Sequence, residues 1–302
     1  MTRRRVRILS IDGGGIGGIV PARILARLDS VRPGVVRSAD LIAGTSVGAL
    51  LAVALAGGYT PEMCGRLLIN RVNEIFGSHR RRLTLAGGSL WRAKYDPAGL
   101  EAVLEELLGH ATLGDLEKPV VIPTVALRRP DMGRRLSGKF FSSWSSVDPD
   151  LRFGAAAVAL ASASAPTYFR AARPAPGWLC WDGGLSGHNS PYTPAAAEVR
   201  KTNPDAELVI LSLGCGATDD GFDAGDWGAL QAVASIIRTM LSVSVSSAEF
   251  LAFQVMRERF HRVNPVVKKY EIDAAAEVSR LAVEADSHDL EEAIQWLDRW
   301  WV

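Results

Sequence analysis

Three short stretches of this sequence combine residue types and spacings suited to acyl chemistry. The first is Gly44-Thr45-Ser46-Val47-Gly48, a G-x-S-x-G pattern. A serine there can sit on a strained strand-to-helix turn with its hydroxyl pushed into the open, and flanking glycines let two backbone segments pass close to that turn. The second is Asp12-Gly13-Gly14-Gly15. Three glycines between a strand and a helix leave backbone N–H groups free to point at an anion, which would be an oxyanion if the reaction is acyl transfer. The third is Asp182-Gly183-Gly184, a carboxylate at a strand end beside glycines that permit close approach. As a base it would take the Ser46 proton directly. Each stretch also has a plainer reading: a Gly-rich turn before an ordinary helix, a phosphate loop, and a turn-forming Asp-Gly.

The elements that would position these residues are legible in the pattern. Val6 to Ile11 reads as a buried strand leading into the first glycine run. Gly17 to Leu28 has helical apolar spacing, with Pro21 in the first turn. Asp40 to Ala43 reads as a second strand, and Val47 to Leu55 as a buried helix ending at Gly57-Gly58. Thr60 is placed as an N-cap with Pro61 opening the next helix. Strands are expected over Val120 to Leu127, Lys139 to Trp144 across a turn at Pro130 to Gly133, Trp178 to Trp181, Glu207 to Leu213 and Phe260 to Val263. Helices are expected over Phe153 to Ser162, over most of Asp226 to Phe260, and over Ser287 to Trp300 with Ser287 as N-cap. The alternation of strands and helices predicts an α/β fold with a parallel core sheet. No linker or repeat is visible, so one domain over 1–302 is expected.

Bulk properties exclude several classes. With 34 Lys plus Arg against 33 Asp plus Glu, the net charge of +1 gives no global pull toward nucleic acid. Cys64, Cys180 and Cys215 stand in unrelated contexts and read as buried thiols; no His or Cys cluster has zinc-ligand spacing, so no metal and no organic cofactor is expected. The first residues do not make a secretory signal, and no run reaches the ~20 apolar residues of a membrane span. The expected location is cytoplasmic, with peripheral membrane contact left open. A dinucleotide fingerprint over Gly13 to Gly18 lacks its acidic partner, because Val31 to Ser38 holds no Asp or Glu. Five histidines are present, and chain order alone would allow His188, His261 or His288 to complete a triad.

Taken together, the order D-G-G-G at Asp12, G-T-S-V-G at Gly44, A-S-A-P-T-Y-F at Ala163 to Phe169 and D-G-G at Asp182 resembles the patatin-like phospholipase family. Asn189-Ser190-Pro191 and Leu211-Ser212-Leu213-Gly214 are similar to its later blocks. The resemblance covers residues 6 to 265. It implies a three-layer α/β/α sandwich with a mostly parallel central sheet, and hydrolysis of phospholipid or other lipid acyl esters by a Ser–Asp dyad. It implies Ser46 as nucleophile, Asp182 as base, the backbone of Gly13, Gly14 and Gly15 as oxyanion hole, and Ala165-Pro166 as a wall near the dyad. Gly44, Gly48, Gly183, Gly184 and Asp12 would support the motifs. One departure stands out: where the family usually carries Arg or Lys two positions after the third glycine, this chain has Gly17. A cation beside the loop is thereby lost, unless a residue from Arg80 to Arg82 serves.

Leu90-Trp91 within the basic stretch His79 to Lys94 reads first as part of a solvated loop with one buried Trp, with docking on lipid headgroups as the alternative. Ala229 to Phe253 could line an acyl groove or belong to the core, and the terminal tryptophans are expected to pack on the body. The competing functions are a carboxylesterase or thioesterase acting on soluble acyl esters, and a catalytically silent anion- or nucleotide-binding module on the same fold. An enzyme would lose its activity when Ser46 becomes Ala, whereas a binder would not depend on that hydroxyl.

Overall fold

The computed structural model describes residues 4–76, 93–128, 135–218 and 229–301. Strand β1 (Arg5–Ile11) lies at the centre of the main sheet. It pairs in parallel with β2 (Leu41–Gly44) on one side and β6 (Glu207–Leu213) on the other. Beyond β6 comes β8 (Phe260–Val263), also parallel; beyond β2 comes β3 (Val120–Arg128), whose outer partner β4 (Arg135–Ser142) is antiparallel. Strand β5 (Trp178–Asp182) pairs antiparallel with the far end of β3. The short strands β7 (Ala217–Thr218) and β9 (Val266–Val267) form a separate parallel pair.

Both faces of the sheet are covered, and the alternation of side chains along β1 shows how. Leu9 and Ile11 point into a core shared with α1 (Ile19–Val31), α3 (Val47–Ala56), α4 (Pro61–Phe76), α5 (Ala98–Leu108) and α6 (Ala155–Ala163). The helices α9 (Val278–Ser287) and α10 (Glu291–Trp300) join that layer. Val6 and Ile8 point the other way, onto α7 (Tyr192–Thr202) and the long α8 (Ala229–Met256). A one-turn helix, α2 (Val35–Ser38), links α1 to β2. The result is the three-layer α/β/α arrangement expected, with a central sheet that is parallel except at β4 and β5. Both core faces are apolar because a sheet buried on two sides has no solvent face to leave polar.

Three local expectations change. Ser287 does not cap the last helix: it ends α9, with its hydroxyl on the Glu284 carbonyl (2.9 Å), and α10 starts only at Glu291. Asp289 supplies the acceptor at that start, its Oδ1 taking the Glu291 N–H at 2.9 Å. The fourth strand begins at Arg135, ahead of the expected Lys139, because it keeps pairing with β3 as far as Arg128. The segment Thr239–Arg259 is long and apolar enough by length and composition to cross a membrane, contrary to the reading of the sequence. Met240, Val243, Phe250 and Val255 on it are exposed, while Ala252 is buried against the sheet. The turn at Pro130 to Gly133, Arg80 to Arg82 and Leu90-Trp91 lie outside the described residues.

Candidate active site

Ser46 stands between β2 and α3 at φ 55° and ψ −122°, a backbone conformation that non-glycine residues avoid. The turn is forced by contact on both sides. A β-carbon at Gly44 would lie 2.0 Å from the Gly48 carbonyl oxygen, and one at Gly48 would lie 2.3 Å from the Ile11 oxygen. Only glycines let these segments cross. The Ser46 N–H donates to Ser162 Oγ (3.0 Å), which itself donates to the Pro123 carbonyl (2.7 Å). Thr45 is tied to β1 through its N–H and to the His188 carbonyl through its hydroxyl. The whole of α3 is buried, so the turn rests on a fixed platform.

Asp182 reaches Ser46 because β2 and β5 share one flank of β3. Ala43 sits opposite Val121, and Asp182 sits opposite Thr124. The two strands run toward each other and stop short of meeting, leaving Ser46 and Asp182 in the gap. The Asp182 carboxylate is almost wholly buried, and that burial raises its pKa to about 6, opposed by interaction with the Ser46 hydroxyl and by the Gly184 N–H. The Gly184 N–H donates to Oδ1 at 2.8 Å. Gly183 is pressed against the Pro123 carbonyl, and Gly184 against Leu241 of α8.

The glycine loop closes the third side. Among its amides Gly13 differs from the expectation of three free donors: its N–H is taken by the Asn189 carbonyl at 3.1 Å, while Asn189 Nδ2 donates back to the Gly13 oxygen at 3.1 Å. The Ile16 N–H is bound to the Ile272 carbonyl, 2.8 Å away. The N–H groups of Gly14 and Gly15 have no acceptor among the described residues, and both glycines line the same cavity as Ser46 and Asp182.

Behind the loop, Asp12 is paired with Arg262 of β8 (Nη2 to Oδ2, 2.7 Å), with both side chains only 3% exposed. Burial raises the Asp12 pKa, while Arg262 and, to a lesser degree, Ser190 oppose that rise. Reading the sequence missed this pair. The signal available was that Arg262 lies in the short strand Phe260–Val263, two residues from the inward-facing Phe260 and hence on the same sheet face. The departure at Gly17 also has a structural reason. A β-carbon there would fall 2.0 Å from the Tyr270 hydroxyl, which donates to the Cys215 carbonyl at 2.9 Å. Tyr270 therefore fills the space that a longer residue at position 17 would enter.

None of the described histidines completes a triad. His188 turns its Nδ1 to the Ser186 carbonyl (2.9 Å) and its ring edge to Phe140, and burial lowers its pKa. His261 stacks on Trp296, and His288 lies near Arg27. Leading away from Ser46 is a cavity of about 110 Å³ whose walls include Leu68, Val72, Ile75, Phe76, Leu100 and Phe169. Ala165 and Pro166 line it with Ser46 and Asp182, and of α8 only Leu241 does so among the described residues. The arrangement can hold an apolar chain with a carbonyl at Ser46, a carboxylate on one side and two free amides on the other.

Residues 9–196 match the family model described as patatin-like phospholipase. A cGAMP-activated phospholipase of Pseudomonas aeruginosa is 33% identical over 267 residues, covering 85% of this chain and 77% of that protein. Patatin-like protein 1 of Oryza sativa subsp. indica is 28% identical over 255 residues, covering 72% and 60%. Protein teg of Priestia megaterium is 24% identical over 98% of this chain and 99% of its own. Among solved structures, VipD from Legionella pneumophila aligns with 99% of this chain and 67% of its own at 14% identity and a TM-score of 0.48. The matched segment contains the glycine loop, the strained serine turn and Asp182, and on that match the chain belongs to the patatin-like phospholipase family.

Proposed function

We propose that the protein hydrolyses acyl esters of phospholipids or related lipids through Ser46 and Asp182, by way of an acyl-enzyme. One observation carries this reading: Ser46, on its strained turn, and the buried Asp182 face each other at the polar end of an otherwise apolar cavity. Asp182 takes the hydroxyl proton as Ser46 Oγ attacks the ester carbonyl. The negative charge that develops on the carbonyl oxygen is met by the Gly14 and Gly15 N–H groups. Collapse of the tetrahedral species expels the alcohol, which takes the proton from Asp182. Water then enters, gives a proton to Asp182 and attacks the acyl-Ser46 ester; collapse breaks the acyl–Oγ bond, Ser46 Oγ takes the proton back from Asp182, and the fatty acid is released. A carboxylate can act alone here because burial lifts its basicity toward neutrality.

The test is labelling of the purified protein by a fluorophosphonate, alongside Ser46→Ala and Asp182→Asn, with fatty-acid release from phosphatidylglycerol vesicles measured in parallel. Because one relative is named for activation by cGAMP, each assay is run with and without that nucleotide. Labelling and release that vanish in Ser46→Ala and fall at least about 10²-fold in Asp182→Asn support the reading. Release that survives Ser46→Ala overturns it.

A further inference from the structure

A loop made of glycines cannot hold itself in place. Gly13, Gly14 and Gly15 have no side chains, so the direction of their amides must be set by the residues at either end. On the far side the Ile16 N–H is fixed to the Ile272 carbonyl at 2.8 Å. On the near side the anchor is Asp12. Its N–H donates to the Leu213 carbonyl at 3.0 Å, and its own carbonyl accepts the Cys215 thiol at 3.3 Å. Among the described residues its side chain has one well-formed hydrogen bond, from Arg262 to Oδ2; Oδ1 and the nearby Ser190 Oγ are buried without one.

Arg262 is itself held by two hydrogen bonds and one ion pair. Nη2 donates to Asp12 at 2.7 Å, and Nη1 donates to Ser212 Oγ at 2.8 Å. Nε lies 3.3 Å from Glu249 Oε2 on α8. Ser10, Ser212 and Arg262 are register partners across β1, β6 and β8, so the Arg262 side chain reaches past β6 to Asp12, at the end of the strand that launches the loop. A planar fork can grip Ser212 and Asp12 at once; a flexible ammonium offers no such rigid pair of donors.

The charges decide between two roles. One cation set against the carboxylates of Asp12 and Glu249 leaves no net positive charge to stabilise an oxyanion. Arg262 thus does not stand in electrostatically for the cation absent at Gly17. We propose that Arg262 is a positioning residue, which through Asp12 fixes the direction of the Gly14 and Gly15 amides toward Ser46. This rests on the catalytic reading given above.

The experiment uses the full chain with Arg262→Lys, Arg262→Gln and the double variant Asp12→Asn/Arg262→Gln, measuring unfolding, fluorophosphonate labelling rate, and kcat and KM on a soluble ester. Arg262→Gln strands a buried carboxylate and is expected to be unstable. The double variant removes both charges and is expected to regain stability but not turnover. Its kcat and labelling rate should stay down by about tenfold to a hundredfold, with KM within about twofold of wild type. Arg262→Lys should fold and recover only part of the rate. The inference is overturned if the folded double variant turns over like wild type, or if the loss lies in KM. It is also overturned if neither the double variant nor Arg262→Lys folds, since the pair would then serve folding alone. Wild type that fails to label, or that labels independently of Ser46, would instead sink the catalytic reading, so the two failures are distinguishable.

Discussion

Gly44 and Asp182 end two strands that approach each other head-on along the same flank of β3, opposite neighbouring stretches of that strand. Ser46 follows the first by two residues and inherits its aim from it. The relation between Ser46 and Asp182 is thus set by strand register, which is stiffer than a pair of loops. A one-residue slip of β5 would turn Asp182 to the opposite face of the sheet.

The basic form of Asp182 should govern the pH profile. Its pKa is raised to about 6 by burial, so the carboxylate is the major species above that pH and is lost below it. The pH dependence of kcat/KM on a soluble ester should rise through about pH 6 and fall roughly tenfold per unit on the acid side. A profile flat down to pH 4 would remove Asp182 from the role of base.

The same burial makes Asp182 costly to the fold. A carboxyl whose pKa is raised on folding binds its proton more tightly in the native state, so its contribution to stability declines as pH rises from the unfolded value near 4 to about 6. Above that range the cost reaches about 3 kcal/mol. Asp182→Asn keeps an acceptor for the Gly184 N–H and carries no charge. Urea unfolding at pH 7 should find it more stable than wild type by up to this amount, with the advantage shrinking toward pH 4. Equal stability at both pH values would contradict the assignment of burial as the cause.

Adding the missing cation should not help. In Gly17→Arg the new side chain meets the Tyr270 hydroxyl at once, so the strap at Tyr270 and Ile272 must move, and with it the acceptor of the Ile16 N–H. Fluorophosphonate labelling is expected to slow by about tenfold or more, with loss of stability on the order of 1–3 kcal/mol. Faster labelling would show that the loop lacks a charge and not a scaffold.

The apolar cavity should set chain-length preference. Val72→Phe places a ring in its wall. Hydrolysis of long-chain p-nitrophenyl esters should fall by about tenfold or more, while short-chain esters change little, as expected for one or two methylenes displaced. An equal loss for both would place the acyl chain elsewhere.

Much of this site could be read in the sequence because its motifs are local. A serine between glycines, a glycine run and an Asp-Gly-Gly each declare their backbone needs within five residues, and strands such as Glu207–Leu213 announce themselves by continuous apolar character. What stayed hidden depends on distance. The Asp12–Arg262 pair joins the ends of two strands with β6 between them, and the occupation of the Gly13 amide by Asn189 is a tertiary accident of loop packing. Gly17 reads as a loss from the sequence, whereas in the fold Tyr270 fills its place. The start of α10 was misplaced because Ser287 and Asp289 are both good capping residues two positions apart, and packing of α9 selects the second.

The head-on arrangement of β2 and β5 also orders events in time. A growing polypeptide presents Ser46 early, but Asp182 follows only after on the order of ten further seconds of synthesis, and Arg262 later still. An unfinished chain on the ribosome has Ser46 with no Asp182 carboxylate beside it. On the proposed chemistry, the active site is thereby withheld from the nascent protein until translation has passed β8 and the sheet can close.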